Sequence, residues 1–124
     1  MIDIYNMKFE TSKILKSISV LKKVSTDYPS SWNTFPIAIY RTSRSPHFID
    51  AFQQELQSYW QITVEVYGDS KTGNLTNIVK EIMEQFNIIG FQGDAKDANT
   101  AGLNRVICVF SAIVDNVTRQ VSKK

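Results

Sequence analysis

YWQITVEVYGDSKTGNLTNIVKEIMEQFNIIGF, residues 59–91, decides the fold. Its opening alternates with a period of two. Trp60, Ile62, Val64 and Val66 point one way and Gln61, Thr63, Glu65 and Tyr67 the other, as in a strand with one buried and one partly wet face. GDSKTGN, residues 68–74, ends that period with two glycines among polar residues. Leu75, Ile78, Val79, Ile82, Met83 and Phe86 then recur at helical spacing, a full apolar face with Asn74 as the expected N-cap. Asn87 and Gly90 offer left-handed exits. IIGFQGD, residues 88–94, reads as a short strand leading into a polar loop over residues 94–104.

Working outward, RVICVFSAIV (105–114) sets Val106, Cys108, Phe110, Ala112 and Val114 on one face and Ile107, Val109 and Ile113 on the other. A strand apolar on both faces is expected at the centre of a sheet. The polar, basic DNVTRQVSKK (115–124) follows as a tail. Upstream, PIAIYR (36–41) reads as a strand opened by a proline where no ladder donor is needed. RTSRSPHFIDAFQQELQS (41–58) fits a helix on the Phe48, Phe52, Leu56 spacing or a long hairpin arm running into the next strand, and the extended arm is favoured. At the N-terminus Ile4, Met7, Thr11, Ile14, Ile18 and Leu21 make an amphipathic helix, with Asp3 as expected N-cap and residues 25–29 as its end. That stripe suits a short coiled-coil seam or a helix lying on a sheet, and the strands that follow favour the sheet. Residues 29–36 form a turn-rich connector carrying Trp32 and Phe35.

Composition bounds the rest. The chain has 124 residues, 43% of them hydrophobic, and a net charge of +2, so it suits one globular domain over residues 1–124 rather than a disordered chain. Its single Cys108 excludes an internal disulfide framework and a thiolate zinc cluster. Asp3, Lys8 and Glu10 interrupt the N-terminal apolar residues, and no apolar run reaches membrane length. A soluble protein made in the cytosol is expected.

No motif nominates a reaction. GDSKTGNL has two glycines five apart between a strand and a helix, but Asn74 and Leu75 stand where a phosphate-binding loop needs Lys and Ser or Thr. His47 is the only imidazole, without a zinc-ligand pattern around it, and Cys108 lies in the most hydrophobic strand, where it reads as a small core residue. Asp94, Asp97 and Asn99 lack the spacing and the bidentate glutamate of a calcium loop. Glu81 and Glu84 belong to a solvated helix face, and the two Asn-X-Thr triplets at Asn74 and Asn116 are short enough to arise by chance. Arg41, Arg44 and His47, interleaved with Phe48 and Phe52, could form a nucleic-acid arm. Fourteen basic residues offset by twelve acidic ones favour an arm that packs on protein. No catalytic residue, cofactor or metal is assigned.

The run 59–91, followed by NTAGLNRVICVFSAIVDNVT (99–118), resembles tail terminator proteins of long-tailed bacteriophages. The likeness lies in a strand ending in an aromatic and a polar turn, an amphipathic helix, the "GF" after it, and a last strand with a basic residue near its start, Arg105, and an aromatic at its middle, Phe110. Tyr28, Pro29, Phe35 and Pro36 in the connector also fit, while residues 41–58 match loosely. The resemblance implies an α+β fold: a mostly antiparallel four-stranded sheet with two helices on one face, in the order α-β-β-α-β-β, with a long arm between the first two strands. It implies a non-enzymatic virion protein, assembled in the bacterial cytoplasm, that caps the tail tube as a six-membered ring, ends tube polymerisation and meets the head connector, with DNA free to pass through. A closed ring needs two different complementary patches on each subunit. Arg41, Arg44, His47, Phe48 and Phe52 on the arm, and the loop 93–103, are the expected places for them. Another neck or tail-completion protein, or a nucleic-acid-binding accessory protein, remains the alternative.

Overall fold

The computed structural model describes residues 2–122. In chain order they form α1 (Met7–Ser17), β1 (Lys23–Ser25), β2 (Ile37–Ile49), β3 (Glu55–Gly68), α2 (Thr76–Ile88), β4 (Gln92–Asp97), β5 (Asn104–Asp115) and β6 (Val121–Ser122). The class is α+β as expected, but the sheet has six strands, not four. Its order is β1-β2-β3-β5-β4, with β6 also on β5. β1 lies parallel to β2, and every other pairing is antiparallel.

The register sorts side chains into two faces. Ala38, Tyr40, Ile62, Val64, Val66, Val106, Cys108, Phe110 and Ala112 share one face and pack with Met7, Ile14 and Leu15 of α1 and Ile78, Val79, Ile82 and Phe86 of α2 in a single apolar cluster. Phe86 stacks on Phe110 with ring centroids 4.3 Å apart. The other face is partly covered by the connector. There Ile37, Ile39 and Tyr67 form a smaller cluster, with Phe35 and Leu103 against it.

Several expected boundaries move. α1 starts at Met7, capped by Asn6 rather than Asp3: the Asn6 side-chain oxygen accepts from Lys8 N at 3.0 Å and Phe9 N at 3.2 Å. It stops at Ser17 although its apolar stripe continues, because Lys22 N donates to Pro36 O at 2.9 Å and the chain enters the β1 ladder. Ile18 and Leu21 stay buried at the two ends of the turn that follows, closed by Leu21 N on Ile18 O at 3.1 Å. The stripe is therefore real while the helix is shorter than the stripe.

At α2, Leu75 occupies the cap position, and the Asn74 side-chain oxygen accepts from Thr76 N at 2.7 Å just before it. Ile88 closes the helix and Ile89 follows as its C-cap, so the expected strand at 88–94 begins only at Gln92. Gly90 makes the left-handed exit at φ 99°. The first four residues of the expected loop 94–104 belong to β4, whose polar residues are held by the ladder to β5 rather than by burial. Gly93 has no alternative, because a Cβ there would lie 1.9 Å from the Val109 carbonyl oxygen. β5 is central, between β3 and β4, but Ile107 and Ile113 are only half-buried and Val109 is exposed on its second face. The expected basic tail folds back within the described residues. Asp115 Oδ1 accepts from Val117 N and Thr118 N in a turn that returns the chain as β6.

Candidate interaction surface

Residues 41–58 are extended, as the favoured reading had it, but they are less of a free arm than expected. β2 and β3 pair from Ile37↔Tyr67 out to Ile49↔Glu55, and β5 flanks β3 along most of that length. Only the tip stands clear of β5. The register slips by one residue at His47 on β2 and at Leu56 on β3, two compensating irregularities that surround the tip. Asp50 builds the turn: its Oδ1 accepts from Phe52 N and Gln54 N, both at 2.9 Å, with Gln53 at φ 63°. This local bonding holds Phe52 outward, 83% exposed, beside Phe48 at 52% and the exposed Ile49. His47 is an exposed residue at the bulge in β2.

The base of the tip is tied to the body. Arg44 is ion-paired with Glu55, which also accepts from Ser58 Oγ. Burial pushes the Glu55 carboxyl up, but the Arg44 and Ser58 hydrogen bonds outweigh it and hold it below the usual carboxylate range. Asn116, almost wholly buried, donates to Ser58 Oγ at 2.9 Å and to the Glu55 carbonyl at 3.2 Å, and accepts from Tyr5 N at 2.9 Å. Three segments distant in sequence meet at this one amide.

Arg41 belongs to a different place. Seven residue steps along the strand separate it from Phe48, about 23 Å at ~3.3 Å per residue. Its guanidinium donates to Glu65 Oε2 at 2.7 Å and lies 4.8 Å from the Tyr28 ring centroid. Glu65, only 5% exposed, also accepts from Tyr28 OH at 3.0 Å and Tyr67 OH at 3.0 Å, while Arg105 approaches at 3.4 Å. Burial pushes the Glu65 carboxyl up, but the hydrogen bonds from Arg41, Tyr67 and Tyr28 prevail and hold it below its ordinary range. Burial, reinforced by Glu65, pushes the Tyr67 phenol up to about 12, against a hydrogen bond from Arg105. Trp32 lies on Tyr67 at 4.7 Å and near Phe35 at 6.4 Å, so the connector is pinned to the sheet by one carboxylate and a run of rings.

Of the five residues expected at an interface, Arg44, His47, Phe48 and Phe52 gather at the arm's outer end and Arg41 does not. Glu65, Tyr28, Tyr67, Arg105 and Asn116 were not expected as a constellation. Glu65, a carboxylate set between Val64 and Val66 on the strand's partly wet face, was the available signal, since a charge that becomes buried needs a partner. Cys108 is buried, and burial pushes its thiol up to about 11, unsuited to a nucleophile. Among the described residues no three His, Cys, Asp or Glu side chains gather in a metal-sized group, and no helix is long and apolar enough to cross a membrane. No protein-family model, curated protein or solved structure matches the chain.

Proposed function

We propose that this chain is a structural subunit of a long-tailed phage virion, closing a six-membered ring on the end of the tail tube, where it ends polymerisation and meets the head connector. The observation that carries the reading is the arm tip. Phe48, Ile49 and Phe52 are exposed, lie outside both apolar clusters and are held outward by the Asp50 turn. Exposed aromatics on a braced projection suit a pocket on another protein. The likeness of residues 59–91 and 99–118 to tail terminators supplies the identity of that protein: a neighbouring subunit or the tube. A catalytic role has no comparable support. The nucleic-acid alternative loses ground because Arg41 and Arg44 are already committed to Glu65 and Glu55, so phosphate would have to displace a carboxylate at each.

The test is sedimentation velocity with negative-stain imaging, with and without purified tail tubes. Wild type is expected to form rings, alone or on tubes, and the Phe48→Ser/Phe52→Ser variant is expected to stay monomeric with an unchanged circular dichroism spectrum. Rings or capped tubes formed equally well by the double variant would overturn the role of the tip. Wild type that neither forms rings nor binds tubes would overturn the function. A fluorescent DNA oligonucleotide carried in parallel should show weak binding.

A further inference from the structure

The β2–β3 ladder has two ends, and they differ in shape. Past Ile49↔Glu55 stands the convex tip with Phe48, Ile49 and Phe52. Beyond Ile37↔Tyr67 the turn after α1, the last residues of the connector and the turn after β3 leave a groove of about 740 Å³ between them. Its apolar side is Val20, exposed just before Leu21 enters the core, together with Phe35 and Pro36. Lys22 N on Pro36 O at 2.9 Å holds these two segments together. From the β3 side Asp69 closes its own turn, its Oδ1 accepting from Thr72 N at 2.9 Å and Thr72 Oγ1 at 2.7 Å. Lys22 and Lys71 also line the groove, and neither has a carboxylate partner among the described residues.

Tip and groove suit each other in shape, polarity and charge. An exposed aromatic ring gains most from a concave apolar seat. Residues 48–54 carry one charge, Asp50, whose Oδ1 builds the turn and whose Oδ2 has no partner among the described residues. A lysine without a carboxylate of its own is what that oxygen lacks. Two tips together would set Asp50 against Asp50, since Arg44 is taken by Glu55. Two grooves together are concave against concave and fill neither. The tip cannot serve its own groove: β2 alone spans 13 residues, about 40 Å at ~3.3 Å per residue, and the ladder holds its ends apart. We propose that the arm tip of one copy seats in this groove of a second copy, with Phe52 against Val20, Phe35 and Pro36 and Asp50 beside Lys22 and Lys71. Tip and seat are different patches at opposite ends of one ladder, so the contact is head to tail and repeats from copy to copy. It deepens the ring reading and rests on it only for closure.

The test separates the two patches. Val20→Glu/Lys71→Glu spoils the groove and leaves the tip, whereas Phe48→Ser/Phe52→Ser spoils the tip and leaves the groove. Each alone is expected to weaken assembly at least about tenfold with an unchanged circular dichroism spectrum. Mixed in equal amounts they keep one good joint per pair, so sedimentation velocity over a concentration series should show dimers and nothing larger. Phe9→Ser is the control: Phe9 is exposed beside a dip walled by α1 alone, and its loss should leave assembly unchanged. A short bismaleimide added to a mixture of Ala51→Cys and Ser19→Cys chains should join one kind to the other and not like to like, with the buried Cys108 spared. The cross-linking is repeated on tail tubes. Rings undiminished in Val20→Glu/Lys71→Glu would overturn the seat and leave the ring reading standing. A mixture with neither dimers nor cross-links, beside a wild type that forms rings, would do the same. Open chains of wild type, stopped at dimers in the mixture, would uphold the seat and reject the ring. A wild type that does not assemble, with no cross-link on or off tubes, would overturn both.

Discussion

Glu65 joins Arg41, Tyr28, Tyr67 and Arg105 on the second sheet face, and its charge is what makes it useful. Its folded carboxyl titrates below its unfolded value. The stability it contributes is therefore complete above the unfolded pKa and is lost as pH falls through the folded one. Thermal melts should show a decline below about pH 4, flattened in Glu65→Gln. At neutral pH that variant should lose about 1–3 kcal/mol, the lower end favoured because Arg41 is half-exposed and can turn to water. Asn116→Ala should cost a similar amount, about 1–3 kcal/mol by chemical denaturation, since it strands Tyr5 N and removes the donor that Ser58 Oγ and the Glu55 carbonyl share. Neither role was legible in the sequence. Glu65 could be placed on the wetter face of its strand, but the residues across the ladder depend on pairings between segments up to forty positions apart.

At the scale of elements, legibility followed the source of stability. β3 and α2 could be read because their own side-chain periodicity drives them onto the core. Phe86→Ala, which removes the ring stacked on Phe110, should accordingly cost about 3–5 kcal/mol, measured by urea unfolding. β1 and β6 escaped the reading, and β4 was read four residues too early, because these strands are short or polar and exist through a neighbour's ladder. Gly93→Ala tests that dependence. The Cβ it adds would overlap the Val109 carbonyl, so β4 should detach from β5 while α2 stays folded, seen as amide exchange rising over residues 92–97. The same logic explains α1, whose stripe outlasts its helix: apolar spacing records what is buried, not the backbone that buries it.

For the whole molecule, the class and the extended character of residues 41–58 were legible, while strand number and the mixed sheet were not, since long-range pairing has no local signature. Cys108 gives a probe at this scale. It is fully buried at the sheet's centre with its thiol pushed up to about 11, so thiol reagents should label it only when the fold opens. A labelling rate that tracks global stability across the variants above is the expected outcome, and fast labelling of the native protein would contradict the packing around it.

The order of strands in the sheet also has a consequence for synthesis. β2 and β3 are joined by a tight turn and can close as soon as they leave the ribosome, but the flank of β3 waits for β5, which emerges only after α2 and β4. Until then the nascent hairpin carries two open sides and two bare aromatic rings. Chaperone occupancy during translation should therefore peak between the emergence of β3 and that of β5, and slowing elongation across α2 should lower the yield of soluble chain.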